Sequence, residues 1–236
     1  MDPIFAIGDI HGQRAEMERV LGLIARDPEA GAPVVFLGDY VDRGPDSRGV
    51  LQVLIDGQAA GRPWIALAGN HDIYFRDFLD PEGLSWADAR RWLSDSVGGK
   101  DTLASYGVAT HGRPLADIRA DARAAVPQAH RSFLAGLPLL HETAAQIFVH
   151  AGVRPDVPVA EQEPDDLVHI RAAFLDDRRD HGRFVVHGHT SAEGPVHRGN
   201  RANLDGGAGR GAPLCAALIL NRDVFLLREG GRTPLI

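Results

Sequence analysis

Five short apolar runs punctuate the chain: IFAI at 4–7, VVFL at 34–37, WIALA at 64–68, IFV at 147–149 and FVV at 184–186, each bounded by glycine, proline or charge. Their apolar positions are continuous rather than alternating, which is the pattern of strands covered on both faces. Between the first two, Met17, Val20, Leu21 and Ile24 recur at amphipathic-helix spacing. Between the second and third, Pro45 can open a helix bearing Val50, Val53 and Leu54, which Gly61 closes ahead of Pro63. Strand, helix, strand, helix, strand in this order predicts parallel strands with right-handed crossovers, so the residues after the strands gather along one sheet edge.

From about 72 to 145 the pattern changes. DIYFRDFLDPEGLSWADARRWLSDS and RADARAAVPQAHRSFLAGL mix aromatic and charged residues, predicting several short helices inserted over the sheet edge of a single domain spanning 1–236. The tail segments NRANLDGG, PLCAALIL and VFLLRE predict strands joined by tight turns, with NRD at 221–223 as a hairpin. No internal repeat or low-complexity segment is present.

Composition narrows the classes. At 236 residues, 44% hydrophobic and 24% charged, the chain suits one sizeable core. A net charge of -7 argues against nucleic acid held by bulk electrostatics. No stretch approaches the ~20 apolar residues of a membrane span, so no membrane partner is expected. The single cysteine, Cys215, excludes an internal disulfide and fits a buried thiol in a reducing compartment. With no basic leader at the start, a cytoplasmic location is the expectation.

The chemistry lies where the runs end. IFAI is followed by Gly8, Asp9, Ile10 and His11, VVFL by Gly38, Asp39, Tyr40, Val41, Asp42 and Arg43, and WIALA by Gly69, Asn70, His71 and Asp72. IFV leads into His150 and Gly152, and FVV into His187, Gly188, His189 and Thr190. Any one of these reads equally well as a turn or a helix cap. Five together supply Asp, Asn and His, ligand types for divalent metals of borderline hardness, beside glycines that permit tight turns. In an extended chain Asp9 and His11, two apart, point to the same side.

In this order, GDIHG, GDYVDRG, GNHD, VHAG and HGHT resemble the phosphoprotein phosphatase family of calcineurin-like metallophosphoesterases, particularly its small bacterial and phage-type members. The resemblance runs from the first strand to about residue 217. It implies an α/β fold: a four-layer α/β/β/α sandwich with two mixed sheets and a helical cap insertion. It also implies two divalent metal ions, the first held by Asp9, His11 and Asp39, the second by Asp39, Asn70, His150 and His189, with Asp39 bridging. His189 rather than His187 is assigned because the family's ligand is the histidine preceded by glycine. Where related diesterases carry a further histidine this chain has Ser191, so fewer protein ligands are expected on the first metal. Manganese is the expected metal, with iron or zinc as alternatives.

A hydroxide bridging two dications is a nucleophile for in-line attack on phosphorus. His71 is the expected general acid, and Asp42 its orienting carboxylate, although Asp42 read alone pairs as readily with Arg43. Arg43, Arg171 and Asn70 are the expected phosphate contacts, Arg171 read alone being an ordinary helix-surface arginine. The activity so implied is a phosphomonoesterase, a protein phosphatase acting on phosphoserine, phosphothreonine or phosphotyrosine in a protein or peptide, with small phosphoesters as further substrates. GNHD in place of GNHE leans instead towards a diadenosine tetraphosphatase or another nucleotide-anhydride hydrolase, and also occurs in small bacterial family members whose preference includes phosphotyrosine. A noncatalytic metal-bound binding module would be expected to lack His71, Asp42 or a ligand. His111, His130, His141, His169, His181 and His197 match no motif and are read as surface or packing residues. Trp64 is assigned to the core, Trp86 and Trp92 to packing of the cap, and the stretch from Ile73 to Leu84 to the mouth of the site.

Overall fold

In the computed structural model, which describes residues 2–236, the predicted series forms as β1 (Ile4–Ile7), α1 (Arg14–Ala25), β2 (Val34–Phe36), α2 (Ser47–Ala59) and β3 (Trp64–Ala66). β1, β2 and β3 pair in parallel, with Phe5 opposite Val34 and Val34 opposite Trp64. Three strands from the tail, β9 (Ala216–Leu220), β10 (Asp223–Arg228) and β11 (Gly231–Pro234), extend the other side of β1 antiparallel. The hairpin expected at 221–223 joins β9 to β10 and is turned by Asn221, whose φ of 55° is left-handed.

A second sheet has the order β4 (Leu140–Glu142), β5 (Gln146–Val149), β6 (Phe184–His187), β8 (Arg201–Asn203) and β7 (Val196–His197). Its β5, β6 and β8 are parallel, whereas β4 and β7 are antiparallel edges. Here the sequence expectation needs correcting. The five strand ends do not lie on one sheet: β1, β2 and β3 belong to the first and β5 and β6 to the second. β9 takes the free edge of β1, so β5 must pair elsewhere. The run WIALA also differs from a strand covered on both faces, because β3 is an edge strand whose Trp64 and Ile65 are only half-buried.

Strand alternation sorts the side chains into three cores, and three cores mean four layers. Phe5, Ile7, Val34 and Phe36 face the helices, packing with Met17, Val20, Leu51 and Leu54. Ile4, Ala6, Val35 and Leu37 face the second sheet and meet its Phe148, Phe184 and Val186. The opposite face of that sheet, Ile147, Val149 and Val185, is covered by Leu167, Ile170 and Phe174, from α8 (Pro164–His169), α9 (Ala172–Leu175) and the link between them. Helices therefore cover both outer faces.

Between β3 and β4 run α3 (Asn70–Leu79), α4 (Trp86–Trp92), α5 (Gly99–Ser105), α6 (Leu115–Ala125) and α7 (Gln128–Ala135). Their buried residues Phe75, Phe78, Trp92, Leu103, Ile118 and Leu134 join the same core as α1 and α2. Ring stacking fixes this join, with Phe75 and Trp92 stacked at 5.7 Å and Phe78 at 4.6 Å from the same indole. No helix among the described residues is long and apolar enough to cross a membrane.

Candidate metal centre

The strand ends of both sheets converge on one buried cluster. Among the described residues seven non-glycine positions have left-handed φ, and five of them are His11 (48°), Asp39 (53°), Asp42 (73°), Arg43 (68°) and His189 (64°). Such conformations cost of order 1–3 kcal/mol each and persist only where the surroundings impose them. The backbone strain is thus concentrated at the site residues. His11 is also not in extended chain, so the simple rule that placed it and Asp9 on one side does not describe this loop.

The imposing contacts are visible around Asp39. Asp72 accepts from the backbone N–H groups of Asp39 (2.8 Å), Tyr40 (2.9 Å) and Gly69 (2.9 Å), pinning the turn after β2 to the start of α3. Asp39 Oδ1 in turn accepts from the His71 N–H at 3.0 Å. A side chain on Gly69 would overlap the Asp39 carboxylate, which is why glycine occupies the position just before α3. Asp72 faces the backbone, so its carboxylate holds Asp39 in place and does not reach into the cleft.

Two groups of donors share Asp39: His11 with His71, and His150 with His189. His11 Nδ1 lies 2.9 Å from Val41 O and His150 Nδ1 lies 2.8 Å from Leu37 O. Each Nδ1–H therefore donates to a carbonyl, leaving Nε2 with a lone pair. The His11 lone pair meets Asp39 Oδ2 at 3.5 Å, and that of His150 meets Asp39 Oδ1 at 3.4 Å and His189 Nδ1 at 3.2 Å. Asn70 Oδ1 completes the second group, 3.0 Å from His150 Nε2. In the second group acceptors thus converge on acceptors, which a cation placed between them satisfies, whereas Arg43 faces the imidazoles of the first.

The electrostatics agree. Burial pushes the His11 imidazole down to about 3 and that of His150 also below its ordinary value, keeping both in the neutral, ligating form. Burial would raise Asp39, but His150, His71, His11 and His189 surround it and hold it below the ordinary carboxylate range. Asp9 is different: burial, then Asp205 and Asp39, push it well above that range. Its two oxygens face the His189 N–H at 3.1 Å, and it belongs to neither close-packed group. Three buried carboxylates gathered this way call for positive charge, and the N/O donor set suits divalent metal ions.

His71 and Asp42 form a pair at 2.7 Å, Nδ1 to Oδ2. Asp42 is fully buried and accepts twice more, from Trp92 Nε1 at 2.9 Å and Thr102 Oγ1 at 2.6 Å. Its carboxylate is thereby committed to His71 and the cap, and no Asp42–Arg43 ion pair forms among the described residues. Burial opposes protonation of His71, yet Asp39 and Asp42 outweigh it and raise the imidazole above its ordinary value. Arg43 donates to both His11 Nε2 (2.8 Å) and His71 Nε2 (3.1 Å).

Above this floor a cleft opens, lined by Arg43, Asn70, His71, Arg171 and His189 among the expected residues. Arg171 Nη1 donates to Thr190 Oγ1 at 3.3 Å. Tyr74, within the stretch expected at the mouth, also lines it, as do Asp88, Arg91, Trp92 and Val97, which lie beyond that stretch. His169, read from sequence as packing or surface, also lines the cleft, with Nδ1 2.8 Å from Asp165 and Nε2 3.3 Å from the Tyr74 hydroxyl. Its place two residues before Arg171 was the available signal. His187 is buried against Phe174, away from the donor groups, with Nδ1 turned to Gly188 O. Trp92 both packs the cap and holds Asp42, a role that nothing local in its sequence announces.

Residues 2–193 match the family model for calcineurin-like phosphoesterases, and the chain belongs to that family. Over 71 residues it is 48% identical to "Putative serine/threonine-protein phosphatase C06A1.3" of Caenorhabditis elegans, covering 30% of this chain and 19% of that protein. Over 71 residues it is 41% identical to the symmetrical bis(5'-nucleosyl)-tetraphosphatase of Methylococcus capsulatus, covering 30% and 24%. The chain thus spans a quarter or less of the length of these two curated relatives. Among solved structures, one described as a "putative diadenosine tetraphosphatase" superposes with a TM-score of 0.66 at 21% identity, covering 100% of this chain and 94% of that one. That likeness is one of fold.

Proposed function

We propose that this protein is a metal-dependent phosphomonoesterase, and within that class a protein phosphatase acting on phosphoserine, phosphothreonine or phosphotyrosine. Asp9, His11 and Asp39 would hold one cation, and Asp39, Asn70, His150 and His189 the other, manganese being our choice with iron or zinc as alternatives. When bound, two divalent ions supply Lewis acidity and a water that ionises near neutral pH. The chain itself does the rest. Arg43 and Arg171 orient the phosphoryl oxygens, with Arg43 exchanging its imidazole acceptors for better, charged ones. His71 then carries a proton on Nε2 and delivers it to the leaving oxygen, while Asp42 fixes the tautomer by accepting from Nδ1–H.

The observation that carries this reading is the buried Asp42–His71 pair at 2.7 Å, steadied by Trp92 and Thr102. A general acid so carefully held matters most where the leaving group is a poor one, such as the alkoxide of a phosphoserine. An anhydride expels a phosphate and needs it less. Hydrolysis of dinucleoside polyphosphates is the second reading, favoured by the stretch shared with the Methylococcus capsulatus tetraphosphatase.

The test is a comparison of initial rates for a phosphoserine peptide, a phosphotyrosine peptide and diadenosine tetraphosphate, with manganese at equal substrate concentrations. Faster peptide hydrolysis supports the protein phosphatase. Dominant dinucleotide cleavage replaces the substrate while leaving the metal chemistry, and inactivity on all three overturns the enzyme assignment.

A further inference from the structure

The upper cleft carries more positive charge than one phosphoryl group on the floor requires. Arg91 on α4 and Arg171 at the start of α9 line the same cavity as Arg43 and His71. Neither forms an ion pair with a carboxylate among the described residues, and both are exposed. Asp88 lies one turn before Arg91 and also faces the cleft, but its carboxylate accepts from Ser85 Oγ at 2.6 Å and leaves the guanidinium free.

A second groove, bounded by Val153 and His181, provides the contrast. It too carries two arginines, yet Arg154 is bound to Asp166 at 2.6 Å, and Arg179 to Asp156 at 2.9 Å and Asp177 at 2.6 Å. There the chain neutralises its own charge. In the cleft it does not, and on a protein of net charge -7 such local donors are what an approaching anion can use. Since His71 delivers its proton on the cleft side, whatever extends towards the mouth belongs to the leaving group.

We propose that Arg91 is a specificity-determining residue that provides a second anion subsite at the mouth, beyond the phosphoryl group oriented by Arg43 and Arg171. The preferred substrates then carry a further carboxylate or phosphate on the leaving-group side of the scissile phosphoryl group. This rests on the phosphohydrolase reading above. Arg91 contributes through a planar, charge-assisted contact, so its effect falls on KM and not on kcat.

The test uses the manganese-loaded full chain, unaltered and as Arg91→Ala and Arg91→Lys. Substrates are p-nitrophenyl phosphate, a phosphoserine peptide with flanking alanine, the same peptide with flanking glutamate, and diadenosine tetraphosphate. Arg91→Ala is expected to raise KM about tenfold for the glutamate peptide or the dinucleotide, and less than about twofold for the other two, with kcat unchanged. Arg91→Lys should recover part of the loss. Whichever of the two sources shows the larger change identifies the natural second anion. Equal changes across all four substrates, or no change, overturn the inference. Calorimetric titration with phosphate and with pyrophosphate separates this from failure of the enzyme assignment. Even without turnover, weaker pyrophosphate binding in Arg91→Ala with phosphate binding unaltered upholds the subsite, and equal binding removes it.

Discussion

The floor of the cleft and its mouth are built on opposite principles. On the floor, Asp9, His11, Asp39, Asp42 and His150 are each 2% exposed or less, backbone strain is concentrated, and strand ends from two sheets hold the donors at fixed distances. At the mouth, Arg91 and Arg171 stand exposed, and among the described residues their side chains make a single weak hydrogen bond, from Arg171 to Thr190. Rigid placement suits chemistry, where a small displacement costs rate. Free guanidiniums suit recognition, because they keep their donors for a ligand. The cap couples the two regions, since α4 carries Arg91 at the mouth and Trp92 in contact with Asp42 on the floor.

Substitutions sharpen this contrast. Asp42→Asn should produce the largest change, lowering kcat on a phosphomonoester by about 10²-fold or more through the loss of an oriented acid. It should also move the alkaline limb of the kcat profile to lower pH. Asp42 helps hold the His71 imidazole above its ordinary value, and the acid is active only while protonated, so removing that carboxylate lets the proton leave earlier. An unmoved or higher limb would separate the limb from His71.

Asp72→Ala comes next. It deletes the acceptor of three backbone N–H groups and should weaken manganese binding by about 10–100-fold, as loss of a group that orients a ligand does. Metal titration followed by calorimetry checks it, and unaltered affinity would mean that Asp39 keeps its place unaided. Trp92→Phe is expected to be milder, about tenfold in kcat, since it removes one of three donors to Asp42 and keeps the stacked ring. KM should hold steady. A KM change without a kcat change would instead place Trp92 with the mouth.

The same division governs what could be read from sequence. Floor residues lie within six positions of a strand end, so GDIHG, GDYVDRG, GNHD and HGHT announce themselves locally, and β1, α1, β2, α2 and β3 follow from apolar periodicity. What contacts Asp42 is not local: Trp92 and Thr102 come from 50 and 60 residues away, and only the packing of α4 and α5 brings them there. The division of strand ends between two sheets was equally hidden, because it depends on β9 returning from the tail to pair with β1. β4 was missed because a three-residue edge strand carries little periodicity. His169 and Arg91 lacked any motif, and their position in the cleft is set by where α8 and α4 dock.

The most direct test of the account is the dependence of kcat on leaving-group pKa for a series of substituted aryl phosphates, in the unaltered protein and in His71→Asn, both loaded with manganese. If His71 protonates the leaving oxygen, the unaltered protein shows a shallow dependence. His71→Asn then loses roughly 10²–10⁴-fold on the poorest leaving groups and much less on the best. Parallel dependences in the two proteins would contradict a general-acid role for His71 and remove the pair on which the proposed function rests.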